Sequence, residues 1–157
     1  MRGYALAERP RIPSTFGYRL HVATDQGFNL IRKLVLTPAH VAESPVAEVL
    51  ICSDEKAVYA DKGYENKRRR ARLKARGVKD RICHRSHKHQ KKLPHWQTQR
   101  NKLIAKRRAV VEQVFGTTRR VFGYARARSV KFATNLADVF CLATVFNLRR
   151  VAGLSTA

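Results

Sequence analysis

The chain has 157 residues, enough for one domain with a real core, and 44% of them are hydrophobic, which excludes a disordered basic tail. Its 33 Lys and Arg against 11 Asp and Glu leave a net charge of +22, a self-repulsion that points to a polyanionic partner. Cys52, Cys83 and Cys141 are too few and too far apart for a disulfide framework, and no window approaches the ~20 apolar residues of a membrane span, so a cytoplasmic protein with no membrane partner is expected.

Residues 1–15 hold three basic residues and two prolines without a clear period, and read as a poorly ordered leader. Residues 16–24 alternate, with Phe16, Tyr18, Leu20 and Val22 on one face of a strand. Asp25-Gln26-Gly27 is a turn, and residues 30–37 make the second strand of a hairpin that Pro38 ends. Residues 41–51 suit a short helix with Glu43 near its start. Residues 57–60 are a short apolar strand ending on Asp61. Residues 66–76 form a strongly basic helix stopped by Gly77, followed by a weak strand over 78–83.

Residues 84–96 are the most polar stretch and read as a loop. Residues 97–121 form one long helix with an apolar stripe of Leu103, Val110, Val111, Val114, Phe115 and Phe122. After a loop over 123–134, Asn135 is the expected N-cap of a final helix through Val151, apolar on most sides and therefore expected against the core. The chain divides into the leader, one domain over residues 16–152, and a tail over 153–157.

Charge is unevenly placed: residues 62–131 hold 24 of the 33 basic residues and only the acids Glu65, Asp80 and Glu112. Nucleic acid is the leading partner. Asp61, at a strand end before a Gly-Tyr turn, projects where α/β proteins bind ligands. Glu112 is the single acid between Asp80 and Asp138. Its bland reading is an ion pair with Arg108, one turn earlier on the same helix face.

Two stretches, Ala60-Asp61-Lys62-Gly63-Tyr64 and Arg108-Ala109-Val110-Val111-Glu112-Gln113-Val114-Phe115-Gly116, resemble the second-Asp and Glu motifs of DDE transposases from bacterial insertion sequences. Phe16-Gly17-Tyr18-Arg19-Leu20-His21-Val22-Ala23-Thr24-Asp25 is similar to the hairpin that precedes them in that family, and Thr37-Pro38-Ala39-His40-Val41-Ala42-Glu43-Ser44 to the stretch after it. The tail from Phe122-Gly123 to Phe146-Asn147-Leu148 also fits.

The resemblance implies an RNase H-like α/β domain in which two Asp and one Glu hold two divalent ions, Mg²⁺ or Mn²⁺, for DNA cleavage and strand transfer at transposon ends and target DNA. Asp61 matches the second Asp and Glu112 the Glu. Arg108 fills the Arg of a subgroup signature, Arg119 stands where Lys is usual, and Ala105 stands where Tyr is usual. Lys67, Arg68, Arg69, Arg70 and Arg72 of the basic helix, with Lys88, Lys91 and Lys92 of the loop, are expected to track the DNA backbone.

The first Asp and its strand have no match, since Glu8 is the only acid before Phe16 and Asp25 belongs to the hairpin turn. The resemblance thus implies a domain incomplete at its N-terminus, catalytically inactive and marginally folded alone. The missing piece is either an upstream-frame product joined by ribosomal slippage or lost from a decayed element. A complete enzyme is expected to be a homo-oligomer associated with the bacterial nucleoid through DNA.

Three rival readings stand beside this one. A non-catalytic basic nucleic-acid-binding protein explains the charge equally well, but not the isolated Glu112. Cys83, His84, His87, His89 and His95 have no standard zinc spacing, and a DNA-facing loop is the better account. Trp96 reads as an anchor of that loop on the following helix rather than a base-stacking residue.

Overall fold

The computed structural model describes residues 17–86 and 92–155, and the expected leader lies outside them. The architecture is mixed α/β. The alternating segment forms β1 (Tyr18–Thr24), antiparallel to β2 (Ile31–Pro38) with Tyr18 opposite Pro38 and Leu20 opposite Leu36. Asp25 builds the connection. One carboxylate oxygen accepts from the N–H groups of Gly27 and Phe28, the other from Leu30, while Asn29 takes a left-handed φ of 60°.

Helix α1 (Glu43–Leu50) buries Val46, Ala47 and Leu50. Strand β3 (Ala57–Ala60) has the expected bounds. A 3₁₀ turn (Lys62–Tyr64) then leads to α2 (Lys67–Ala75), where the Asn66 side chain accepts from the N–H groups of Arg68 and Arg69 as an N-cap. At the other end Gly77, at φ 69°, places its N–H on Lys74 O while Val78 N–H reaches Leu73 O, the paired bonds of a Schellman motif. Leu73 and Val78 join Ile82 in the main buried cluster, against Ile51, Val58 and Ala60. Strand β4 (Lys79–Ile82) thereby returns parallel to β3, with Ala57 opposite Lys79.

The long helix α3 (His95–Arg120) begins two residues before its expected start and packs on β1 and β3. Its buried residues are Ile104, Val114 and Thr118, whereas Leu103 is 66% exposed. The expected stripe is thus too wide, because α3 touches the strands along a narrow line.

Helix α4 (Phe132–Ser155) departs further from expectation. Asn135 is not its N-cap. It is fully buried one turn inside the helix, where Nδ2 donates to Ser129 O and Lys131 O and ties the incoming loop to the first turn. Of the helix's hydrophobic residues only Val139 and Phe146 are buried, while Phe140, Val145, Leu148, Val151 and Leu154 are exposed. Composition reported apolar residues all round, but the described elements that lie against this helix are chiefly β2 and α3, with Tyr18 of β1 meeting Phe132 edge-to-face at 5.6 Å at its start.

One polar contact fixes α4 on the hairpin. Asn147 Oδ1 accepts from Ile31 N–H at 2.8 Å and its Nδ2 donates to Ile31 O at 2.9 Å, so the side-chain amide stands in for a neighbouring strand. Among the described residues the four strands form two separate two-stranded sheets, β1–β2 and β3–β4.

Candidate metal and nucleic-acid site

The two sheets line a common cavity of about 440 Å³. Residues 19–24 of β1, and 57–60 of β3 with Asp61 after them, run along its sides, and Arg108, Val111 and Phe115 of α3 face it. Asp61 sits at the end of β3, where its Oδ1 accepts from Lys62 N–H at 2.7 Å and starts the 3₁₀ turn. Arg108 Nη1 lies 3.5 Å from the same oxygen, with the Arg side chain 23% and the Asp side chain 44% exposed.

Glu112 is exposed one turn further along α3. Among the described residues it has no ion pair, and the bland pairing with Arg108 is not formed because Arg108 lies on Asp61 instead. The structure therefore brings Asp61 and Arg108 together, and Glu112 stays on the adjoining turn with its carboxylate unengaged. Arg119 is exposed near the end of α3.

Sequence reasoning missed the polar support beneath Asp61. His21, buried on β1, meets the Tyr64 hydroxyl at 2.7 Å through Nδ1 and Thr37 Oγ1 at 3.1 Å through Nε2. A neutral ring donating from Nε2 and accepting at Nδ1 satisfies all three groups. Burial holds the imidazole below its ordinary range, with Glu43 opposing and Arg19 assisting, and burial also raises the Tyr64 hydroxyl. Arg19 pairs with Glu43 at 3.4 Å, and Glu43 lies so close over Gly63 that a methyl group there would collide with its Oε2. A side chain at Gly63 would therefore displace the Glu43 carboxylate from its place over the turn. The alternation of β1 pointed the other way, since it put Tyr18, Leu20 and Val22 on the apolar face and His21 on the opposite one, whereas His21 is the buried residue of the strand.

The basic helix splits into two sets. Lys67, Arg68 and Arg72 are exposed, as is Lys92, whereas Lys88 and Lys91 lie outside the described residues. Arg69 and Arg70 are corrections to the expected DNA contacts. Arg69 is 2% exposed, with Nε on Glu48 Oε1 at 3.0 Å and its two Nη groups on Tyr64 O and Ser44 O. Arg70 is held by Asp80, Glu65 and the carbonyls of Ile82 and Cys83. Helical spacing turns these two side chains inward, where they join α2 to α1 and β4. Arg72 also reaches Glu48 while remaining half exposed.

The zinc reading gains nothing from the described residues. Burial raises the Cys83 thiol, against the thiolate that zinc needs, and His84 Nδ1 lies 3.7 Å from Glu65. His87 and His89 lie outside the described residues. Trp96, on the first turn of α3, meets the His84 ring edge-to-face at 5.3 Å, and Asn101 clamps His84 N–H and C=O, so the loop is anchored on the helix.

Among the described residues Cys52, Asp54 and Glu55 are the group whose ligand atoms converge. Their carboxylates are engaged otherwise: Asp54 forks onto Arg32, and Glu55 accepts from the N–H groups of Cys52 and Ser53. That cluster builds the turn before β3. Asp61 and Glu112 differ in offering hard oxygen donors with spare capacity, since Asp61 Oδ2 and both oxygens of Glu112 accept no hydrogen bond among the described residues. No helix there is long and apolar enough to cross a membrane.

No solved structure matches the chain. A transposase for insertion sequence element IS1106 from Neisseria meningitidis serogroup B is 37% identical over 139 residues. The match covers 87% of this chain and 47% of the relative, so the chain spans about half the length of that protein. The family model described as the transposase DDE domain matches residues 2–148. Nearly the whole chain, with Asp61, Arg108 and Glu112 inside the matched stretch, thus belongs to the transposase DDE domain family.

Proposed function

We propose that the chain is the C-terminal part of an insertion-sequence transposase catalytic domain, RNase H-like in fold and incomplete at its N-terminus. It binds DNA, and cuts and joins DNA strands only when complete. The observation that carries this reading is the unengaged carboxylate of Glu112, one turn beyond the Arg108 that lies on Asp61. A protein that merely coats nucleic acid gains nothing from an unpaired acid among its phosphate contacts.

Asp61 and Glu112 supply hard oxygen ligands suited to Mg²⁺ or Mn²⁺. When bound, a pair of such ions activates the attacking oxygen and offsets charge on the leaving oxygen of a phosphodiester. The third acid comes from outside the described residues, from an upstream-frame product or a longer form of the chain. Arg108 holds Asp61 in place and is positioned to pass to a phosphate oxygen once Asp61 is engaged. Arg119, further along the same helix, aligns the backbone. Lys67, Arg68, Arg72 and Lys92 track the duplex, together with Lys88 and Lys91. Bringing two transposon ends together requires at least a dimer of the complete protein.

The test is nicking of transposon-end DNA by the chain joined to the part it lacks. Glu112→Gln and Asp61→Asn should each abolish Mg²⁺-dependent cleavage while leaving DNA binding equal or tighter. Cleavage that survives either substitution removes the assignment. Strong nicking by the 157-residue chain alone would show that no third acid is needed.

A further inference from the structure

Helix α4 is buried along one line and exposed along another. Asn135, Val139 and Phe146 face inward, and β2 and α3 are the described elements chiefly packed against them. On the opposite side Ala137, Cys141, Thr144, Leu148 and Val151 follow one another at helical spacing and are all exposed, with Phe140 and Val145 on their flanks. Thr144 adds no free polar group, because its hydroxyl donates to Phe140 O within the helix. An apolar strip thus runs along roughly 20 Å of helix, and a strip of that kind marks a surface for another chain.

Charge says which chain. The protein carries +22, yet the 24 residues of α4 hold only Asp138, Arg149 and Arg150 as charged groups. Two copies of so basic a chain therefore meet with least repulsion along this helix. Asp138 and Arg149 are separated by about three helical turns, so both lie on the same flank of the strip. At roughly 16 Å along one helix they are out of each other's reach. Neither has an ion pair among the described residues.

When two antiparallel copies of α4 face each other through the strip, like flanks meet. Asp138 of each copy then comes opposite Arg149 of the other, and both charges gain partners. A parallel pair would keep each residue level with its own counterpart and give neither a partner. The antiparallel register also puts the twofold axis beside Thr144. The two copies of Thr144 meet there, whereas the two copies of Leu148 stand roughly 13 Å apart along the helices.

We infer that α4 is the interface of a symmetric dimer of this chain, packed antiparallel through the apolar strip and aligned by reciprocal Asp138–Arg149 pairs. The inference rests on this helix and not on the proposed function, and its test contains neither DNA nor metal.

The experiment is oxidative cross-linking of the full chain in a Cys52→Ser, Cys141→Ala background. A disulfide needs Cα atoms within about 7 Å, so Thr144→Cys should link two copies at least about tenfold faster than Leu148→Cys. In sedimentation at micromolar concentration, Asp138→Arg should weaken the dimer by about tenfold, since symmetry makes each lost pair count twice. Asp138→Arg combined with Arg149→Asp should restore it. Equal linking at both positions, a chain that keeps its helical circular dichroism but sediments as a monomer, or a double variant as weak as the single one would overturn the interface. A dimer that dissolves when the remainder of the Neisseria meningitidis relative is added as a separate polypeptide would assign the strip to that longer protein, and would overturn it as well.

Discussion

Arg108 lies one helical turn before Glu112, yet its guanidinium sits 3.5 Å from Asp61, on a different element. The helix thus forgoes its own local ion pair, and one cation bridges α3 to the end of β3 while a carboxylate is left facing solvent. Because both partners are partly exposed, water screens the pair and its contribution to stability is about 0–1 kcal/mol. Arg108→Ala should therefore move a urea unfolding midpoint little. In the completed protein the same substitution should lower DNA cleavage by about 100-fold, the scale of losing one charge that stabilises a transition state. A large stability loss with normal cleavage would mean that the pair serves the fold alone.

Arg68 and Arg69 are neighbours with opposite fates. Arg69→Met strands the carbonyls of Ser44 and Tyr64, leaves Glu48 with Arg72 alone, and should cost about 1–3 kcal/mol in chemical denaturation. Arg68→Ala should leave stability unchanged, weaken DNA binding, and reduce the salt slope of binding by about 1. If Arg69→Met unfolds normally but loses DNA affinity, the buried placement is wrong.

Acid should loosen the chain through its histidines. His21 and His84 are both held below the ordinary imidazole value of 6.5, chiefly by burial. The unfolded chain accepts a proton that the folded chain resists, so their contribution is full above that value and is lost as pH falls through the lower folded-state values. Guanidinium midpoints should be lower at about pH 5.5 than at about pH 7.5. His21→Gln should reduce the difference, and an unchanged difference would exclude His21 as a source.

Asn147→Leu keeps the approximate size of the side chain and removes both of its bonds to Ile31. The Ile31 N–H and C=O then lose their partner at the edge of β2, and the expected cost is about 1–3 kcal/mol. Asn147→Asp should fall between the two, since it keeps the acceptor and loses the donor. Equal stability of all three proteins would remove the amide clamp from the account.

Much of the fold was legible where local chemistry decides it. Ala57, Val58, Tyr59 and Ala60 are a short apolar run with a turn signal after it, and β3 has those bounds. Asn66 and Gly77 bracket α2 because side-chain capping and positive φ are local events. Asn135 was misread for a related reason: its preference for helix starts is real, but here its amide reaches back to Ser129 and Lys131 from inside the first turns. The candidate site was legible only in part. Asp61 and Glu112 stood out by scarcity, but charge says nothing about burial, so Arg69 looked like Arg68. The His21–Tyr64 contact spans 43 positions and leaves no periodic trace.

The Asn147 clamp makes the sheet lopsided in what it will accept. On its outer flank the amide of α4 already occupies both hydrogen-bonding groups of Ile31, so another chain cannot zip onto β2 through that residue. On its inner flank the groups of β1 open toward the cavity. Growth of the sheet is thus blocked at the outer rim, where it could otherwise continue into a fibre.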